Sequence, residues 1–133
     1  SGSFNSACAA AQVLREKYPE RKLYIVDSLG ASSGYGLIID KMAELRDSGM
    51  NIDALHDWVE EHKLNMHHWF FSTDLTYYVR GGRISKSAGF IGSILHICPL
   101  LNCDDLGRLT PRAKIRTKKR AINEIVQIMV ENA

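Results

Sequence analysis

Apolar positions along this chain follow a helical period in some stretches and form short continuous runs in others. Ala7, Ala10, Ala11, Leu14 and Tyr18 share one face of a helix that Pro19 brings to a stop. Leu23 to Val26 is a short apolar run entering Asp27-Ser28, the pattern of a buried parallel strand that opens into a loop. Gly30, Gly34 and Gly36 loosen that loop, and a helix through Ile38, Met42 and Leu45 follows until Gly49. A third helix begins at an Asn51 cap and carries Ile52, Leu55 and Val59. Lys63 to Met66 reads as a connector.

From His67 the pattern changes. His67 to Ser72 is an aromatic strand-like run, followed by a short helix bearing Tyr77 and Tyr78 and then a Gly81-Gly82 turn. Ile97 to Leu101 and Leu109 to Ile115 read as strands joined through Asp104-Asp105-Leu106-Gly107, a hairpin signal. The last helix places Ile122, Ile125, Val126 and Met129 on one face. The expected class is therefore α/β, with a boundary near residue 63. Residues 1–63 form the later part of a parallel α/β domain, and 64–133 open an α+β domain with antiparallel strands.

Composition adds a few exclusions. With 45% hydrophobic and 24% charged residues over 133 positions, the chain is of the ordinary globular kind and not disordered. Its apolar runs fall well short of the roughly 20 residues that span a bilayer. No leader opens it, so a soluble cytoplasmic protein without an integral membrane segment is expected. Cys8, Cys98 and Cys103 are odd in number and lack C-x-x-C spacing, the pattern of reduced thiols. The net charge of +2 conceals an asymmetry: residues 108–133 hold 7 Lys and Arg against 2 acids, whereas 1–107 hold 10 against 13. A basic face of this kind suits a phosphate, an acidic partner or plain solvation. The aromatics or helix-turn-helix pattern of a nucleic-acid reader do not accompany it.

Candidate chemistry is sparse. His62, His67 and His68 lack the spacing that places two imidazoles on one helix face, and no metal or other cofactor is expected. G-x-S-x-G, P-loop and G-x-G-x-x-G patterns do not occur. Ser28, Ser32 and Ser33 follow the carboxyl end of the first strand, where open α/β sheets bind ligands, although turn chemistry alone accounts for them. Ser1 to Ser6 places hydroxyls ahead of a helix, which suits either capping or a carboxylate. In Leu75 to Ser85, LTYYVRGGRIS, the glycine amides together with Arg80 and Arg83 could converge on an anion. Equally, the glycines could stop a helix whose negative end the arginines neutralise. Spacing does not decide between these.

The order of these segments resembles the DegV family. LTYYVRGGRIS is similar to its L-x-Y-L-x-K-G-G-R-I-S, and GFIGSIL from Gly89 to Leu95 is similar to its G-x-x-G-x-x-L. Ile97-Cys98-Pro99-Leu100 stands where the family has I-K-P-I/L, and Lys114-Ile115-Arg116 matches K-x-R. Upstream, Ser1 to Ala7 resembles S-G-T-Y-x-S-A, and Val26-Asp27-Ser28 with Ser32, Gly34 and Gly36 resembles V-I-D-S…S-x-G-x-G. Arg80 replaces a lysine, keeping the charge, and Cys98 replaces the lysine of I-K-P. The resemblance implies a bacterial carrier that holds a long-chain fatty acid in an apolar tunnel between two domains and presents its carboxylate to a separate fatty acid kinase. It would not itself be an enzyme. It also implies a longer protein, of which this chain is a fragment.

On that resemblance Ser1, Ser28 and Ser32 meet the carboxylate end, and Ser1 matches the serine that contacts it in the family. Phe90, Ile91, Ile94, Leu95 and Ile97 line the acyl tail, although core packing explains each of them as well. Arg83 and Arg116 face the kinase or its phosphate. The rival reading is an enzyme or binding module for a small phosphorylated metabolite that uses the Arg80-Gly-Gly-Arg83 turn as a cradle.

Overall fold

The computed structural model describes residues 2–85 and 97–132, in two compact units, Ser1–Met66 and His67–Ala133. The first unit is helical. Helix α1 (Gly2–Lys17) turns Phe4, Ala7, Cys8 and Ala11 inward, one step round from the face that the alanines suggest, so Ala10, Leu14 and Tyr18 are exposed. Helix α2 (Ser32–Asp47) buries Gly34 and Ile38 and packs on α3 (Ile52–His62), which buries Val59. Its end is set by Gly49 at φ 99°, where the amides of Gly49 and Met50 return to the carbonyls of Arg46 and Leu45. Asn51 caps α3 as its sequence demands, its side chain accepting from the amides of Asp53 and Ala54 at 3.1 and 3.0 Å. A single 3-10 turn, Lys63–Asn65, follows.

Leu23–Val26 has no ladder partner among the described residues. Side chains hold it instead. The Arg15 guanidinium donates to the Leu23 carbonyl at 2.5 Å, and Asp53 at the start of α3 pairs with Lys22 and accepts from the Tyr24 hydroxyl at 2.5 Å. The Tyr24 ring also stacks on His56 with centroids 4.3 Å apart. These bonds hold the Asp53 carboxyl below the usual range and raise the Lys22 ammonium and the Tyr24 phenol.

The second unit is an antiparallel three-stranded sheet with helical cover. Strands β1 (Trp69–Phe71), β2 (Ile97–Cys103) and β3 (Leu109–Arg116) lie in sequence order. Helix α4 (Thr76–Arg80) precedes β2, and α5 (Lys118–Glu131) follows β3. Leu101 is fully buried with Leu75 and Ile84, and Phe70, Tyr78 and Leu109 close round them. Leu100 and Cys98 point to the other face and are buried too. Helix α5 touches all three strands and contributes the fully buried Ala121. It docks through Ala121, Ile125 and Ile128, so of the expected face only Ile125 turns inward, while Ile122, Val126 and Met129 are exposed.

The β2–β3 hairpin closes at Asp104, which accepts from the amides of Leu106 and Arg108 at 3.0 and 2.9 Å and pairs with the Arg108 guanidinium at 2.9 Å. Gly107 takes φ 72° there. Farther along, Leu101 opposes Pro111 but Leu100 opposes Ala113, leaving Arg112 as the extra residue of a bulge. A slip of one residue exchanges the two faces of a strand. Thr110 therefore shares a side with Asn102 and Leu100, whereas Lys114 and Arg116 beyond the bulge share one with Pro99 and Ile97.

Two outcomes are expected. Leu101→Ala lowers the unfolding free energy of the second unit by about 2–5 kcal/mol in denaturant melts, whereas Val126→Ala, on the exposed face of α5, changes it by less than about 1 kcal/mol. The bonds of Arg108 and Leu106 lower the Asp104 pKa from 3.8 to about 2. A depressed folded value means that its contribution is complete above the unfolded pKa and disappears as pH falls toward 2. Asp104→Asn should flatten the pH dependence of stability in that acid window, read from melts at stepped pH.

Candidate functional site

The segment leaving Val26 must turn into α2 within five residues, and this turn makes a cleft. Asp27 Oδ1 accepts the Leu29 amide at 3.2 Å, and Ser28 Oγ accepts the Gly30 amide at 3.4 Å, two consecutive side-chain turns. Leu29 and Ser32 take φ 50° and 52°, conformations that non-glycine residues adopt only when their surroundings hold them there. Ala31, with extended backbone, is the N-cap of α2, and its side chain supplies no cap bond. The first amides of α2 are thus left without a side-chain cap at its mouth.

A cleft of about 420 Å³ lies at this turn, bordered by the first turns of α1 and α2. Ser3, Ser28 and Ser32 give it hydroxyls, Asp27 gives it a carboxylate, and Phe4, Ile25 and Tyr35 give it apolar walls. The N-terminus of α2, the serine hydroxyls and a greasy wall are the components of a site for an amphiphile with a small polar head. The sequence expected Ser28 and Ser32 near a ligand, and both border this cleft. Ser1 lies outside the described residues. Ser3 is among the Ser1–Ser6 hydroxyls that the sequence offers to a carboxylate, although Ser3 and Ser6 lie within α1 and not ahead of it; Phe4 and Tyr35 were not singled out, because their sequence positions give no sign that α1 and α2 lie side by side here.

A second hollow in this unit, of about 230 Å³, lies between α2 and α3 and is lined by Ile38, Trp58, Val59 and Met66 with His62 and Lys63. The His62 ring stacks on Trp58 at 4.7 Å, and Lys63 pairs with Glu60, so these polar groups already have partners.

The expected acyl-tail residues Phe90, Ile91, Ile94 and Leu95, and His96 beside them, lie outside the described residues. Ile97 is the half-buried first residue of β2, opposite Arg116. Arg116 is exposed at the end of β3, one residue before Thr117, which takes φ 76° and caps α5.

The Arg-Gly-Gly-Arg turn resolves in favour of helix termination. Gly81 and Gly82 donate their amides to Tyr77 and Val79, and Arg83 and Ile84 both donate to Tyr78, so four consecutive N–H groups point back into α4. Gly82 takes φ 69°, and a side chain at Gly81 would crowd the Tyr77 carbonyl, which explains the pair. The Arg83 guanidinium donates to the Gly81 carbonyl, and that of Arg80 lies over the Tyr77 ring at 5.9 Å. These four amides therefore do not converge on a phosphate.

His68 is held below the usual imidazole range by burial and by the neighbouring charge of His67. Among the described residues no group of three His, Cys, Asp or Glu side chains is placed to hold a metal ion, and no helix is long and apolar enough to cross a membrane.

The whole chain, residues 1–133, matches the family described as "Uncharacterised protein, DegV family". The chain belongs to the DegV family. A DegV domain-containing protein of Streptococcus pyogenes is 43% identical over 126 residues, covering 95% of this chain and 44% of the relative. The chain thus spans about half the length of the curated relatives it matches. Among solved structures, a fatty-acid-binding DegV family protein from Thermus thermophilus superposes with a TM-score of 0.83 at 30% identity, covering 99% of this chain and 45% of that one. The Streptococcus pneumoniae Fatty Acid Kinase (Fak) B3 protein loaded with linoleic acid does so with a TM-score of 0.88 at 26% identity, covering 98% and 47%.

If the glycine turn serves only to end α4, millimolar inorganic phosphate should leave the amide resonances of Gly81 to Ile84 unmoved in nitrogen–proton correlation spectra. A saturable shift at those amides would restore the cradle.

Proposed function

We propose that this chain is part of a carrier that binds a long-chain fatty acid and presents its carboxylate to a separate fatty acid kinase, without catalysing the transfer. The observation that carries this reading is the cleft in which Ser28 and Ser32 meet the first turns of α1 and α2 beside Phe4, Ile25 and Tyr35. Hydroxyls and helix amides can hold a carboxylate, and the apolar wall suits the chain behind it. In this reading Ser1 joins Ser28 and Ser32 at the head. Phe90, Ile91, Ile94, Leu95 and Ile97 line the tail, each buried methylene contributing about 0.8 kcal/mol. The fatty acid binding of the Thermus protein and the linoleic acid held by the Streptococcus pneumoniae structure support the ligand class, and the kinase name of the latter supports the partner.

Arg116 and Arg83 serve the encounter with the kinase or its phosphate in this proposal. Arg116 stands exposed in a basic run that continues through Lys118, Lys119 and Arg120, a charge pattern that raises association rates with an acidic face. The carrier works in the cytoplasm, where its partner would find it.

Native mass spectrometry of the full-length protein should show a copurifying mass of one long acyl chain. A protein that arrives empty and ignores oleate and palmitate after delipidation, while binding sugar phosphates, would favour the metabolite reading. Arg116→Ala should leave acid uptake unchanged and slow kinase-dependent phosphorylation severalfold. Loss of uptake would instead place Arg116 in the ligand site.

A further inference from the structure

We propose that Asp53, at the start of α3, is a positioning residue for the cleft: by holding Tyr24 it fixes where Ile25 to Ser28 stand, and so how firmly the carboxyl head is gripped; this rests on the fatty-acid reading above. Asp53 is not among the residues that line the cleft, whereas the four residues after Tyr24, Ile25 to Ser28, all line it. Any effect of Asp53 on the ligand therefore passes through the segment that it holds.

In an extended chain every second side chain falls on one side. Lys22 and Tyr24 accordingly both reach Asp53, which pairs with the first through Oδ2 and accepts the hydroxyl of the second through Oδ1 at 2.5 Å. The Tyr24 ring is held a second time, stacked on His56 one turn farther along α3 with centroids 4.3 Å apart. These two bonds of Asp53 differ in weight. Lys22 is a flexible, exposed cation, and surface pairs of that kind contribute little. Tyr24 is a rigid side chain fixed at both ring and hydroxyl, so it is the link that transmits position. Asp53 is itself anchored, its amide donating to Asn51 Oδ1 at 3.1 Å in the cap of α3.

The other lip of the cleft refers to the same helix, because α2, which brings Ser32 and Tyr35, packs on α3. The separation of Ser28 and Ser32 is thus set from α3 twice, through Tyr24 on one side and through α2 on the other. Between them the turn keeps Leu29 and Ser32 at φ 50° and 52°, conformations that relax once the chain on either side is freed. Releasing Tyr24 lets Ser28 move relative to Ser32 without removing any group that borders the cleft.

The test measures palmitate affinity of the full-length protein by displacement of a fluorescent fatty acid. Tyr24→Phe, which keeps the ring and loses the hydroxyl, should weaken palmitate binding about fivefold, and Asp53→Ala by about as much. Both remove one and the same bond, so the double variant should fall less than about twofold below either single one. Asp53→Asn keeps an acceptor for the hydroxyl and should stay within about twofold of wild type, as should Lys22→Ala. A cycle with Ser28 separates positioning from mere stability: in Ser28→Ala, itself weaker than wild type, Tyr24→Phe should cost less than about twofold. Val59→Ala, which trims a buried side chain of α3 away from the cleft, should lower the melting temperature and leave palmitate affinity unchanged. If Asp53→Ala does not fold, Tyr24→Phe and its cycle decide. No loss in Tyr24→Phe, a loss that persists undiminished in Ser28→Ala, wild-type affinity in Ser28→Ala alone, or an equal loss in Val59→Ala would overturn the assignment. A wild-type protein that ignores palmitate would remove the fatty-acid reading and this inference with it, an outcome distinct from binding that Tyr24→Phe does not change.

Discussion

The chain has to pass from an extended segment into a helix within the five residues after Val26, and the cleft depends on how that passage is held. Asp27 and Ser28 take up the amides that the turn would leave unpaired, and Leu29 and Ser32 accept positive φ angles to complete it. Such conformations cost on the order of 1–3 kcal/mol each and persist only where the surroundings impose them. Here the surroundings begin upstream, with Asp53 gripping Lys22 and Tyr24 and Arg15 holding the Leu23 carbonyl. The hydroxyls of Ser28 and Ser32 and the first amides of α2 border the same cleft because both ends of the turn are fixed.

The second unit solves a different problem, burying both faces of a small sheet. Leu101 anchors one face with Leu75 and Ile84, and Leu100 and Cys98 occupy the other. A continuous apolar run fits such a strand, since each face has something to cover it. The bulge at Arg112 then changes which residues of β3 share a face, so that Lys114 and Arg116 follow the Pro99 side while Arg112 donates to the Asn102 side chain at 2.7 Å. The basic residues of this strand are thereby divided, although their alternate spacing in sequence suggests a single stripe.

Local signals were legible where the physics is local. The Asn51 cap, the Gly49 stop and the hairpin turn at Asp104 all rest on bonds within a few residues, and each appears where the sequence places it. Helix faces were less legible. In α1 and α5 the side buried within this chain is displaced from the most apolar side, and small residues such as Ala11 and Ala121 are the buried ones. The Arg-Gly-Gly-Arg turn shows the same limit in its chemistry: two glycines suit an anion loop and a helix end equally, and only the direction of the amides tells them apart.

The sequence by itself determined the family, the helices and strands with a local cause, and the candidacy of Ser28 and Ser32, since these rest on residue type and spacing along the chain. Tertiary structure alone decided that Arg15, Asp53 and His56 hold the Lys22–Tyr24 segment, that Ser3, Phe4 and Tyr35 join the serines at one cleft, and that the glycine-turn amides point into α4. The reason is physical. Caps and turns are contacts between neighbours in sequence, whereas a cleft requires residues of two helices far apart in the chain, such as Ser3 and Ser32, to meet in space.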